Sequence, residues 1–264
     1  MNNKIKIFCI SVALIIAILV RKTPQNRNST LKSIPVNAEI NKKNMRLFYE
    51  DWLNKEEKRL WELVKEKYGV DYKTCKEFSL TIKESLPKKV YPLSQKTKNL
   101  INEIAQEFEV TGLNALGNAN LRSPAGAYAT TLCINEAELT SYPHSMQRYI
   151  IAHEMQHIIY QDAALKTSLH YFLEEKGIPL SPLTTDPVNK IARFIELRAD
   201  IHTALHSASY AQGLVTAMKI FRAQTDESEE AHDIGHPKIA LRSKVGRKIL
   251  LAHQHSKNSS ALVA

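Results

Sequence analysis

Two histidines four residues apart, His153 and His157, lie inside a strongly apolar stretch running from about Ser145 to Tyr160. A helix repeats every 3.6 residues, so this spacing stacks both imidazoles on one face, a turn apart. With Glu154 between them the pentapeptide reads His153-Glu154-Met155-Gln156-His157, the pattern H-E-x-x-H. Two imidazoles so arranged can bind one Zn²⁺, and the glutamate beside them can reach a water on that metal. The segment is therefore expected to be a helix with one face turned to a metal.

Two histidines leave a catalytic zinc one protein ligand short, so a third His, Asp or Glu is expected downstream. Asp186-Pro187 is an N-cap and first-turn pair, opening a helix expected to run through Glu196-Leu197-Arg198-Ala199-Asp200 to about His206. Glu196 and Asp200 share a face at i, i+4. Glu196 can bind the metal, and Asp200 can accept from the far nitrogen of a ligand histidine and fix its tautomer. Ala199 allows close approach of the two helices. His202 and His206, on the same helix, read as partly exposed histidines.

Further on, His236-Pro237 is followed by Arg242, giving H-P-x-x-x-x-R at the start of a last helix. In this order the three elements resemble the gluzincin family of the HtpX membrane protease and the CAAX prenyl protease. There H-E-x-x-H is followed by E-x-x-x-D and then by a His-Pro motif with a downstream Arg. The resemblance covers about residues 90–250. It implies zinc ligation by His153, His157 and Glu196, with Glu154 as general base. Asn114-Ala115 is similar to the family's Asn-Ala pair ahead of its substrate-side strand. The stretch between His157 and Glu196 holds no apolar run long enough for further membrane helices, so an embedded active site is not expected. Thermolysin-like enzymes place their third ligand much nearer the second His and fit less well.

From its place at a helix start, His236 can point into the cleft and donate to the oxyanion forming on a scissile carbonyl. Arg242, nearly two turns on, can pair with Asp200 and hold the third-ligand helix.

The formal charge of +9 raises the question of a nucleic-acid partner. Residues 1–100 carry 21 Lys and Arg against 10 Asp and Glu, a net +11, whereas the rest carries 15 against 17, a net −2. A basic segment beside an apolar run fits an anionic membrane surface at least as well as a nucleic-acid groove, and no nucleic-acid motif is present; no nucleic acid is expected as partner. Of three cysteines only Cys75 and Cys133 could pair, because Cys9 lies in the apolar run.

That run, Ile7 to Val20, has 14 residues with Ser11 its one weakly polar member. A full span usually takes about 20, so it suits a signal-peptide core, although flanking lysines and arginines can lengthen a short span. No pair of small residues follows Val20, which favours an uncleaved anchor over a removed signal. Residues 1–22 are thus an anchor or signal segment, 23–43 a polar linker and 44–255 the folded domain. The flanking charges nearly balance; the expected location is membrane-anchored with the domain outside the cytoplasm, the alternative being secretion.

Apolar spacing predicts helices over 45–69, 95–108 with Ser94 as its start signal, 145–160, 209–223 and 238–253. Alternation of Phe78, Leu80 and Ile82 predicts a strand over 78–83, Asn114 to Gly126 reads as loop, and Ala127 to Asn135 as one strand. The expected fold is α+β, mostly helical, a zincin-like domain with a small sheet. The expected function is that of a zinc endopeptidase with one Zn²⁺ per chain and a protein or peptide substrate. The metal would lower the pKa of its water to about 7, Glu154 would take the proton, and the peptide would extend beside the strand at 127–135. The rival is a catalytically inactive zinc-binding chaperone or adaptor at a membrane.

Overall fold

The structure is a computed structural model and describes residues 42–82, 89–181, 183, 185–225 and 235–261. The run Ile7 to Val20 and most of the linker lie outside the described residues. Among those described, no helix is long and apolar enough to cross a membrane.

Helix α1 (Lys42–Tyr68) buries Met45, Tyr49, Leu53, Leu60 and Val64, a stripe at four- and seven-residue steps. It stops at Gly69, whose positive φ of 64° is the left-handed conformation that ends helices. Asp71 then caps α2 (Tyr72–Ser79), accepting from the Thr74 backbone N–H. This overturns the strand expected over 78–83. The cap starts a helix whose Cys75 and Ser79 are buried at i, i+4, and a three-residue alternation cannot compete with that. Phe78 stacks on Tyr171, while Leu80 stays 67% exposed.

Helix α3 (Gln95–Glu107) begins at Ser94, as its cap predicts, and buries Ile101, Ile104 and Ala105. The sheet follows: β1 (Asn114–Gly117), β2 (Ala125–Tyr128) and β3 (Thr131–Ile134), in the order β1-β3-β2. β1 pairs parallel with β3, placing Ala115 beside Leu132, and β2 pairs antiparallel with β3, placing Gly126 beside Cys133. Two expectations are corrected here. Asn114 to Gly126 is not all loop, because β1 lies within it. Gly117 exchanges two backbone hydrogen bonds with Tyr91, whose ring would sit 2.2 Å from any Cβ at that position. Ala127 to Asn135 is a hairpin and not one strand, because it turns at Ala129, with φ 46°, and Thr130. All four residues of β3 are buried in the centre of the sheet.

The remaining helices are α4 (Glu136–Ser141), α5 (His144–Ile159), α6 (Asp162–Glu175), α7 (Pro187–His206), α8 (Ala208–Gln224) and α9 (Ile239–Ala261). The mostly helical α+β class is as expected. Helix α5 is the hub: Met146, Tyr149, Ile150, Ile151, Ala152 and Met155 are buried around its whole circumference, and it packs on α3, α6, α7, α8 and the sheet. Cys75 and Cys133 are both buried and both free, so they do not pair.

Candidate metal centre

Helix α5 carries His153 and His157 and helix α7 carries Glu196. The packing of these two helices brings the three side chains together. His153 Nε2 and His157 Nε2 are 3.1 Å apart, and Glu196 Oε2 lies 3.3 Å from the first and 3.6 Å from the second. Metal–nitrogen and metal–oxygen bonds of about 2.0–2.1 Å in a tetrahedron give ligand–ligand edges of about 3.3 Å. His153, Glu154 and His157 also each bring one ligand atom within 4.8 Å of the others, a group able to hold a metal ion. Both imidazoles are buried, and Glu154 is half-buried.

The far nitrogens are held by carboxylates. His157 Nδ1 is 2.9 Å from Asp162 Oδ2. His153 Nδ1 is 3.0 Å from Asp200 Oδ1, off the line of an ideal hydrogen bond. Carboxylates accept, so each imidazole carries its proton on Nδ1 and turns the Nε2 lone pair inward. Two lone pairs and a carboxylate oxygen then converge in a dry site, an arrangement that needs a proton or a cation between them. The donor set of two imidazoles and one carboxylate suits zinc.

Electrostatics follow from the same contacts. Burial alone would raise the Glu196 carboxyl, but His157 and then His153 outweigh it and hold the group well below the ordinary carboxylate range. Burial opposes charge on His157, yet Glu196 and Asp162 lift its pKa to about 10. His153 is raised against the same burial by Asp200 and Glu196. Asp200 would also be raised by burial, but Arg242 and His153 depress it.

Arg242 meets Asp200 as the spacing suggested: Nε donates to Oδ2 at 2.6 Å and Nη2 to Oδ1 at 2.8 Å. The Tyr149 hydroxyl, from α5, donates to the same carboxylate. His236 is half exposed just before α9, with Nε2 3.8 Å from Glu196 Oε2. His153, Glu154, His157, Glu196, Asp200, His236 and Arg242, all singled out in the sequence, thus lie in one network of contacts.

The sequence reading missed Asp162, Arg198, Glu57, Tyr149 and Lys166. Asp162 stands five residues after His157, where Gln161 at φ 56° breaks α5 from α6. Arg198 Nη2 donates to Asp162 Oδ1, and its Nη1 donates to Glu57 Oε1 at 2.7 Å. Lys166 Nζ is 3.7 Å from Glu196 Oε1. An acidic residue opening the helix after H-E-x-x-H was the available signal for Asp162. Glu57, 141 residues from Arg198, offered none. Burial holds His202 neutral, with its pKa lowered to about 4 and its Nε2 3.0 Å from the Tyr160 hydroxyl.

No protein-family model, curated protein or solved structure matches the chain.

Proposed function

We propose that the chain is a zinc-dependent endopeptidase of the gluzincin type, binding one Zn²⁺ through His153, His157 and Glu196. The observation that carries this reading is the convergence of two Nε2 atoms and one carboxylate oxygen at the spacing of tetrahedral ligands, each imidazole backed by a carboxylate. Two carboxylates compete for the third position, Glu154 and Glu196. Glu196 is the choice, because its oxygen sits 3.3 and 3.6 Å from the two imidazole nitrogens. That leaves Glu154, half-buried and next in sequence to His153, for proton transfer.

Zinc bound by His153, His157 and Glu196 would supply Lewis acidity toward a water and the scissile carbonyl. The Glu154 carboxylate takes the water's proton and delivers it to the leaving amine. His236, at the mouth of the site, donates to the carbonyl oxygen as charge builds on it. A peptide cannot add to β3, which is paired on both sides; it adds to β2, whose outer edge has no partner strand among the described residues. The substrate is therefore an extended protein or peptide segment, and residues 1–22 tether the domain to a membrane on its outer side.

The test uses the full chain and an unstructured protein such as casein. Cleavage is expected to stop when a chelator removes the metal and to return when zinc is added back. A zinc-loaded chain that cleaves nothing contradicts the peptidase reading and favours the non-catalytic chaperone or adaptor.

A further inference from the structure

We propose that Glu57 and Arg198 are positioning residues for the metal centre: acting through Asp162, they fix the orientation of His157 and so set how tightly the site holds its metal. This rests on the metal reading given above.

The link is a chain of three contacts from the surface of α1 to the metal-facing side of α5. Asp162 uses both of its oxygens, Oδ2 toward His157 Nδ1 at 2.9 Å and Oδ1 accepting from Arg198 Nη2. Arg198 Nη1 then donates to Glu57 Oε1 at 2.7 Å. Side-chain exposure falls along the way, from 25% at Glu57 to 5% at Arg198 and 1% at Asp162. Among the described residues, Arg198 Nε has no hydrogen-bond partner. The guanidinium is therefore held by its two Nη contacts and by two rings, Tyr160 at 4.2 Å and Phe194 at 5.6 Å from its central carbon.

Removing Glu57 leaves Arg198 one ion pair and its contacts with the Tyr160 and Phe194 rings, about which the guanidinium can pivot. Asp162 then loses its fixed partner, and the imidazole it orients can turn its Nε2 away from the ligand point. A site with edges near 3.3 Å tolerates little of that, and partners behind a ligand typically tune metal affinity by roughly 10- to 100-fold. The arrangement also explains an arginine inside a buried helix. Two residues from both Glu196 and Asp200, Arg198 leaves α7 about 200° round from Glu196, on the side where α1 packs. Helix α7 thus serves the metal with one face and α1 with the other.

The experiment measures zinc affinity of the full chain by competition with a chromophoric chelator, alongside thermal melting of the metal-free protein as a check on folding. Glu57→Gln is nearly isosteric at a partly exposed position. It is expected to weaken zinc binding roughly 10-fold, and Asp162→Asn by roughly 10- to 100-fold. The double variant should bind no more weakly than Asp162→Asn, because Glu57 acts through that carboxylate. Glu50→Gln, in an exposed pair with Arg46 on the same helix, should leave affinity unchanged. Wild-type affinity in Glu57→Gln, or an effect fully additive with Asp162→Asn, overturns the proposal while His153→Ala and His157→Ala still lose zinc. If those two ligand variants bind zinc like the wild type, the metal reading falls, and this inference with it.

Discussion

Arg242 grips both oxygens of Asp200, Nε to Oδ2 at 2.6 Å and Nη2 to Oδ1 at 2.8 Å, at a carboxylate wholly removed from solvent. The pair ties α9 to α7 directly behind His153, and the Tyr149 hydroxyl closes it from α5. Three helices thus meet at one buried charge pair, so the last helix helps to hold the face that carries His153.

Breaking such a pair from one side leaves a charge buried without a partner, which typically costs about 3–5 kcal/mol. Arg242→Gln should lower unfolding stability by that order in denaturant melts and loosen zinc as well. Combining it with Asp200→Asn should cost less than the two single losses added, since both charges are then gone. Simple additivity would mean that the two residues act independently.

Asp186 caps α7, accepting from the Val188 N–H at 2.9 Å, Lys67 Nζ at 2.8 Å and the Tyr68 hydroxyl. Burial would raise its pKa, but Lys67 and Tyr68 outweigh this and lower it. A carboxyl depressed in the folded state stabilises it above the unfolded value of about 3.9, and that contribution is lost as pH falls through the folded value. Asp186→Asn keeps a capping side chain and loses the charge, so it should cost about 1.5–3 kcal/mol at pH 7, the order of a hydrogen bond to a charged group. The gap to wild type should narrow in melts as pH falls below about 3.9 and close once pH passes the depressed folded value. Lys67 is half exposed, so added salt should narrow the gap by screening that pair. An equal deficit at pH 7 and pH 3 would contradict this account.

Helix α8 crosses α5 at Gly213, where an added Cβ would stand 2.5 Å from the Ser145 carbonyl oxygen and 2.6 Å from Tyr149 Cβ. Alanine gains about 1 kcal/mol of helix propensity over glycine, but backbone cannot move aside cheaply, and overpacking of a core typically costs about 1–3 kcal/mol. Gly213→Ala should therefore lower the melting temperature and, by shifting Tyr149, weaken the Asp200 pair. Gly246→Ala meets the side chain of Leu214 at 2.9 Å instead and should be milder. Equal melting temperatures for both variants would argue against a tight crossing at Gly213.

What could be read in advance was what helix geometry dictates. His153 and His157 at i, i+4, Glu196 and Asp200 at i, i+4, and the caps Ser94 and Asp186 are local, and each stands as expected. The reach of Arg242 to Asp200 was legible once both were assigned to helices near one centre. The sheet was harder to read, because four-residue strands such as Asn114–Gly117 carry too few alternations to rise above their Asn and Gly content. The turn at Ala129 was hidden because nothing at that residue marks a positive φ. Glu57, Arg198 and Asp162 lie on three separate helices, and only tertiary packing joins them.

In the proposed mechanism His153, His157 and Glu196 hold a zinc whose chemistry Glu154 completes. The direct test is to measure zinc content and the rate of peptide hydrolysis on the same preparations of wild type and Glu154→Gln. Both should hold about one zinc per chain, with hydrolysis by the variant slower by about 10²–10⁴-fold, the usual worth of a positioned general base. A wild-type chain without zinc, or a Glu154→Gln variant that cleaves at the wild-type rate, would contradict it.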